Sequence, residues 1–352
     1  MATSGLLFIP DISGFTKFIN QTEIEHSRLI IQELLELLIN ANETGLEISE
    51  IEGDAILFYK YGSPPELEAL YRQVEKMFCD FHRSLIMYEQ TRYCQCAACQ
   101  SASGLTLKVI SHYGEFTGYT VKNFNKLIGK DIIVAHQLLK NDIEQHEYWL
   151  ITDNLIKAIS PSAFAEGLQW KNSIKQTETG TIPFQYALLS ELRNTISTEI
   201  IPAPDLTGMR KIFSLTEKYP TDIITMFHAS GDFNYRHRWM EGVIKVEEVS
   251  HFLPRVGMRC RRILENGEII TYAASYRYSP ERIEFTEIDD QKKEVTYYLL
   301  EKVGEGITKL TMEYYIRKSV INKLGFMFGK RKSIELMYKK SMGNLQGVVK
   351  EL

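Results

Sequence analysis

Between Glu241 and Ile316 the chain repeats one pattern six times: a strand-length run of alternating apolar and polar residues, closed by a turn. The runs are Glu241 to Val249, Met258 to Leu264, Glu268 to Tyr276, Arg282 to Glu287, Lys293 to Lys302 and Thr308 to Ile316. Turns such as Asn266-Gly267-Glu268 and Gly304-Glu305-Gly306 make the natural connection an antiparallel meander. The period then changes. From about Ser333 to Leu352, Ile334, Met337, Tyr338, Leu345, Val348 and Val349 fall on one face of a helix. That stripe needs an apolar surface, and the meander's inner face supplies one. Upstream, Lys211 to Leu215 reads as a strand and Tyr219 to Phe227 as helical.

The first half has a different texture, with strands and helices alternating. Leu6 to Ile9 is an apolar strand, followed from Thr16 by a helix to about Asn42 with Leu29, Ile30, Leu34, Leu37 and Leu38 on one face. Gly45 stops it, and Leu46 to Ile51 pairs with Ala55 to Tyr59 as a hairpin. Ser63-Pro64-Pro65-Glu66 opens a second helix through Leu85. A cysteine-rich loop, a strand from Leu105 to Ile110, a turn or hairpin to about Val121, a helix from about Lys130 to Leu139 and a strand Tyr148 to Thr152 follow. A last hairpin joins Leu168 to Ile174 with Thr181 to Leu188. The core order, strand–helix–strand–strand–helix–strand, is ferredoxin-like. The predicted layout is therefore α+β, with domains at 1–193 and 209–352 joined by a polar linker at 194–208 that holds Pro202 and Pro204.

Composition narrows the function classes. At 352 residues, 44% hydrophobic and 24% charged, the chain has globular content for two domains. A net charge of −4 argues against nucleic-acid binding by bulk electrostatics. No apolar run approaches the ~20 residues of a membrane span. Met1 to Gly5 lacks a basic segment followed by an apolar one, so no secretory signal is expected there. Five cysteines, an odd number, fit a reducing compartment, and a cytoplasmic location is the expectation.

Three stretches carry chemistry. Phe8-Ile9-Pro10-Asp11-Ile12-Ser13-Gly14-Phe15-Thr16 is a strand ending in an acid, then a small-residue turn, then a helix. Glu50-Ile51-Glu52-Gly53-Asp54-Ala55-Ile56-Leu57-Phe58 sets a second aspartate at a hairpin turn. Leu105 to Gly118 places His112 and Gly114 at the end of a strand. Taken singly, Asp11 caps a helix and Asp54 makes a turn. Together, in this order, the three resemble the catalytic domain of class III nucleotide cyclases.

The resemblance implies two divalent ions, Mg²⁺ or Mn²⁺, held by Asp11 and Asp54 with the Ile12 carbonyl. It also implies phosphate contacts at Gly14, Phe15 and Thr16, and a nucleoside triphosphate as ligand. Glu50 stands where such enzymes read the purine, and Glu there suits a guanine edge; its companion position is Lys126. The family carries Asn and, four residues on, Arg to stabilise the transition state. Aligned on Gly129, this chain has Ile133 and Gln137 there. Such an arginine is worth about 10³–10⁵ in rate, and Gln cannot replace its charge. Class III sites form between two such domains, so a homodimer is implied.

Cys94-x-Cys96-x-x-Cys99 lies in one loop, with Cys79 and His82 one helical turn apart upstream. Three close thiolates suit zinc, with Cys79 or His82 as the fourth ligand; three reduced thiols are the equal alternative. Lys323 to Lys332 mixes basic and apolar residues, as the start of the last helix or as a lid or membrane contact. Around Trp239-Met240-Glu241-Gly242-Val243 and Leu253-Pro254-Arg255-Val256-Gly257-Met258 the second half resembles the START-like (SRPBCC) superfamily. That implies a helix-grip fold with an apolar small molecule between sheet and helix. Three functions stay open: a signalling protein whose cyclase-like half binds metal and nucleotide with little or no catalysis, an active nucleotide cyclase, or an apolar-ligand carrier that dimerises through its cyclase-like half.

Overall fold

In the computed structural model, the residues described are 3–94, 96–159, 168–177, 180–198, 204–249, 253–265, 267–318 and 330–352. They divide into two units, Met1–Gln90 with Cys96–Glu199, and Thr91–Gln95 with Ile200–Leu352. The turn residues 178, 179 and 266, linker residues 199–203 and basic residues 323–329 of the expectations above lie outside the described set.

The first unit is built on β1 (Thr3–Ser13), whose residues Leu6 to Ser13 are all buried. Successive side chains alternate between faces, so a strand buried throughout needs cover on both sides. Leu7 and Ile9 enter one cluster with Leu57, Ile110, Leu138 and Leu150, while Leu6 and Phe8, equally inaccessible, point the other way. The strands β2 (Glu47–Glu52), β3 (Ala55–Tyr61) and β4 (Thr106–Val121) join it in the order β2-β3-β1-β4, all antiparallel. With α2 (Ile24–Asn40) and α3 (Leu67–Thr91) as crossovers, this is the ferredoxin-like arrangement. Beyond β4 the sheet continues through β6 (Tyr148–Thr152), parallel to β4, then β8 (Gly180–Leu188) and β7 (Lys171–Thr177). The parallel step is made by β5 (Phe124–Ile128) and α5 (Lys130–Leu139), and α6 (Asp153–Ala158) follows β6.

Three local differences from the sequence-based expectations have physical causes. The helix predicted from Thr16 to about Asn42 is two helices, α1 (Phe15–Gln21) and α2, because Thr22 and Glu23 are extended. Thr22 Oγ1 donates to Phe18 O at 2.6 Å and closes the first helix. The cysteine loop is partly helical, with α4 (Ala97–Ser101) and a 3₁₀ turn to Gly104. After Ile110 the strand does not turn; β4 runs on to Val121 and pairs with β5.

The second unit is one seven-stranded antiparallel sheet, ordered β10-β11-β12-β13-β14-β15-β9. Its strands are β9 (Met209–Tyr219), β10 (Val243–Glu248), β11 (Arg259–Leu264), β12 (Gly267–Ser279), β13 (Arg282–Asp289), β14 (Glu294–Gly304) and β15 (Ile307–Arg317). Tyr219 ends β9, opposite Thr308, rather than opening a helix. The helix α7 (Ile223–Gly231) starts at Asp222, whose carboxylate accepts from Ile224 N and Thr225 N at 2.9 and 3.0 Å. After α8 (Arg236–Trp239) and the meander, α9 (Arg331–Glu351) buries Tyr338, Met342, Leu345, Val348 and Val349 in the same core as Phe227, Phe285 and Tyr298. Within that core Arg236, fully buried, donates from Nη1 to Glu287 Oε2 at 2.7 Å and from Nη2 to Glu287 Oε1. Burial opposes its charge, but Glu287 beside it holds the guanidinium pKa above its ordinary value.

Thr91 to Cys94 were expected in the first domain. Tyr93 instead belongs to the second unit's core, edge-on to Phe227 at 5.4 Å, with its N–H donating to Pro254 O.

Candidate functional site

The register of β1 decides where its acid lies. Asp11 pairs with Ala55 on β3 and Lys108 on β4. Asp54 immediately precedes Ala55, and its carbonyl accepts from Ile12 N at 3.0 Å. The two aspartates, far apart in sequence, are therefore neighbours. Burial pushes the Asp11 carboxyl up to about 6, the Asp54 carboxylate adding to the push and Lys108 opposing it. Burial likewise raises Asp54. Lys108 Nζ is 3.5 Å from Asp11 Oδ1 and donates to Leu139 O at 3.1 Å. The two carboxylates form a hard-oxygen donor set, whose chemistry suits a hard divalent cation and not a soft metal. The lysine supplies one positive charge against two acids, so the pair keeps a negative excess.

The turn after β1 depends on Gly14, whose φ of +90° is left-handed and costly for any residue with a Cβ. Ile12 is fully buried, Phe15 half-buried and Thr16 exposed. Next to this turn is a pocket of about 520 Å³, lined by Gly14, Lys17, Gln21 and Thr22 on one side and by Ala97, Ser101 and Ser103 on the other. Asp11 and Asp54 are not among its lining residues.

The expected base-reading residues meet each other. Lys126 Nζ donates to Glu50 Oε2, and this hydrogen bond raises the lysine pKa. His136 is 3.8 Å from Glu50 and 3.6 Å from Glu52, which makes a second acidic group with a histidine on the surface of β2 and α5. On the same helix Ile133 is 58% exposed, so no packing demand accounts for its apolar side chain. Gln137 is half-buried, and its Oε1 has no hydrogen-bond partner among the described residues.

His112 has a role the sequence did not specify. Its Nε2 lies 2.9 Å from Asp131 Oδ1 and its Nδ1 2.8 Å from Thr152 Oγ1. With the aspartate as acceptor, a neutral ring donates through Nε2 and accepts the threonine hydroxyl at Nδ1. Burial raises the Asp131 carboxyl, but the hydrogen bonds from His112 and Glu115 N outweigh it and hold the pKa below the ordinary value. The chain of contacts edges a small pocket of about 150 Å³ with Lys130 and Asn154. The glycine two residues on is explained as well, since a Cβ on Gly114 would lie 2.1 Å from Asp131 Cγ.

Cys79 and His82 stay on α3, apart from the cysteine loop. Burial raises the Cys79 thiol, and Thr195 is the hydrogen-bonding group that lowers it. His82 is buried against Phe78 and Phe81 with Glu147 at 3.4 Å, and burial, aided by Arg193, lowers its pKa to about 3. It is a neutral core histidine. The residue that faces the thiols is His26 of α2, with Nδ1 3.2 Å from Cys96 Sγ and 3.5 Å from Cys99 Sγ. No spacing rule pointed to it, because it lies on another helix well upstream.

Comparison with known proteins gives three findings. Residues 31–148, under half of the chain, match the family described as "Protein of unknown function (DUF2652)". An uncharacterised protein of Mycobacterium tuberculosis is 28% identical over 139 residues, which is 37% of this chain and 60% of that protein. The chain thus matches less than two thirds of that relative's length. Solved structures similar over about half the chain are cyclase catalytic domains. One is the guanylate cyclase domain of a protein from Catenaria anguillulae in complex with GTP: 16% identity, 53% of this chain, 96% of that one, TM-score 0.38. Others are a bacterial light-regulated adenylyl cyclase (12%, 56% and 58%, TM-score 0.40) and an adenylyl cyclase from P. aeruginosa (12%, 53% and 94%, TM-score 0.35). Among the described residues, no helix is long and apolar enough to cross a membrane.

Proposed function

We propose that the first unit binds a divalent cation, Mg²⁺ or Mn²⁺, through Asp11 and Asp54, and with it the phosphates of a purine nucleoside triphosphate. The observation that carries this is the neighbouring, pKa-raised carboxylate pair at the end of β1 and the β2–β3 turn. A cation beside two such groups relieves their mutual repulsion and their burial cost together. When bound, it would supply charge neutralisation for the phosphates. Asp11 and Asp54 hold it, the Ile12 carbonyl adds a ligand, and the Gly14 to Thr16 turn and Lys17 face the phosphates.

The unit binds more than it catalyses. An exposed Ile133 offers no hydrogen bond, and Gln137 has no charge with which to stabilise a phosphoryl-transfer transition state. Glu50 and Lys126 satisfy each other, so a purine must open that pair to be read. The second unit belongs to the proposal as a START-like domain for an apolar small molecule. The support is its antiparallel sheet with α9 packed on an aromatic core. Together the units make a cytoplasmic, homodimeric signalling protein in this account. Titrating Mn²⁺ and nucleotide into wild type and the Asp11→Ala, Asp54→Ala double variant tests the assignment: wild type binds and the variant does not. Cyclic product would favour an active cyclase. Unchanged binding by the variant would favour a carrier whose first unit serves dimerisation.

A further inference from the structure

We infer that His26, Cys96 and Cys99 of the first unit form a structural zinc site, completed by Cys94 two residues upstream in the sequence and independent of the Asp11–Asp54 pair. The local folding explains how three of the four converge. Cys96 is the N-cap of α4 and Cys99 lies one turn later, so both sulfurs lie on the same side of the helix. Cys99 N donates to Cys96 Sγ at 3.5 Å. The Glu23 carboxylate accepts from Ala97 N and Ala98 N at 3.3 and 3.1 Å, which fastens the start of α4 to the start of α2. His26 is three residues after Glu23 and so presents its ring on the same side. The ligand atoms of His26, Cys96 and Cys99 all lie within 4.8 Å of one another.

The distances match the chemistry. A tetrahedral zinc with bonds of ~2.3 Å to sulfur and ~2.05 Å to nitrogen sets N and S about 3.6 Å apart. His26 Nδ1 is 3.2 and 3.5 Å from the two sulfurs. Cys94 is two residues before Cys96, which limits their Cα separation to about 7 Å and makes it the tethered fourth ligand. Three thiolates and an imidazole select zinc over Mg²⁺ or Mn²⁺, and a four-ligand site is closed to catalysis. The ion's effect is mechanical: it fixes α4, whose Ala97 and Ser101 form one wall of the pocket beside Gly14.

The test is zinc content of the full chain, purified without chelator and dialysed, together with the spectrum of the cobalt-substituted protein. The inference predicts about one zinc per chain and, with cobalt, the intense visible bands of a tetrahedral thiolate site. Cys96→Ser with Cys99→Ser abolishes binding, His26→Ala weakens it against a chromophoric chelator, and Cys79→Ser and His82→Ala leave it intact. Wild type that takes up no zinc, or cobalt spectra without thiolate charge transfer, overturns the site. A His26→Ala variant as tight as wild type overturns the ligand assignment. The wild-type spectra decide the matter even where a variant fails to fold, and Mn²⁺ binding by Asp11 and Asp54 can fail without touching this result.

Discussion

Lys108 stands directly across the β1–β4 pair from Asp11, its Nζ 3.5 Å from Asp11 Oδ1. Even with that cation beside it, Asp11 has a pKa of about 6, because burial and Asp54 outweigh the lysine. The folded protein therefore holds the Asp11 proton more tightly than the unfolded chain does. The stabilisation is full below pH ~4 and is lost as pH rises through about 6, amounting to about 3 kcal/mol at ~1.4 kcal/mol per pK unit. Urea unfolding from pH 4 to 7 should show wild type losing stability relative to Asp11→Asn across that window. Saturating Mn²⁺ should abolish the loss, since the cation favours the ionised pair. A flat difference between wild type and variant would contradict the assignment.

Asp131 and Gly114 should behave as a coupled pair. Asp131→Ala strands His112 Nε2 and Glu115 N and should cost about 2 kcal/mol or more. Gly114→Ala drives a Cβ into Asp131 and should cost about 1–3 kcal/mol. In the double variant the clash with Asp131 Cγ and Oδ2 is gone and only the contact with the residue-131 Cβ, at 2.4 Å, remains, so the combined cost should fall short of the sum by about 0.5–3 kcal/mol. Thermal denaturation of the three variants measures this. Strict additivity would show that Gly114 is required for some other reason.

In the second unit, Glu287→Ala leaves the Arg236 charge buried and alone and should destabilise by about 3–5 kcal/mol. Arg236→Met combined with Glu287→Leu removes both charges and should recover most of that loss. Tryptophan fluorescence in urea is a suitable readout, since Trp239 packs under the guanidinium at 4.8 Å. A double variant as unstable as Glu287→Ala would mean that the pair's packing, not its charge, matters.

Much of the fold was legible because period carries it. The six alternating runs became β10 to β15, and Tyr148 to Thr152 is β6 with the same bounds. What escaped was decided by contacts between distant residues. Thr22 and Glu23 contain no Gly or Pro, so nothing local announces the break between α1 and α2; the demand comes from Glu23 capping α4. Tyr93 reads as loop, yet an aromatic core claims it. Asp11 and Asp54 were singled out because one lies near the end of an apolar strand and the other in a hairpin turn. Lys108, Asp131 and His26 were not, because register and helix packing bring them in.

The measurement that tests the central claim most directly is a thermal shift of the full chain with ATP, GTP, CTP and UTP, each with Mn²⁺ and with EDTA. Parallel samples are assayed for cyclic product. The account predicts a Mn²⁺-dependent rise of several degrees with a purine nucleotide, as expected when ligand far exceeds its Kd. It also predicts no cyclic product, and no rise in the Asp11→Ala, Asp54→Ala variant. The absence of a shift with every one of the four nucleotides would reduce the two aspartates to a strand-end acid and a turn residue. Cyclic product would contradict the roles given to Ile133 and Gln137.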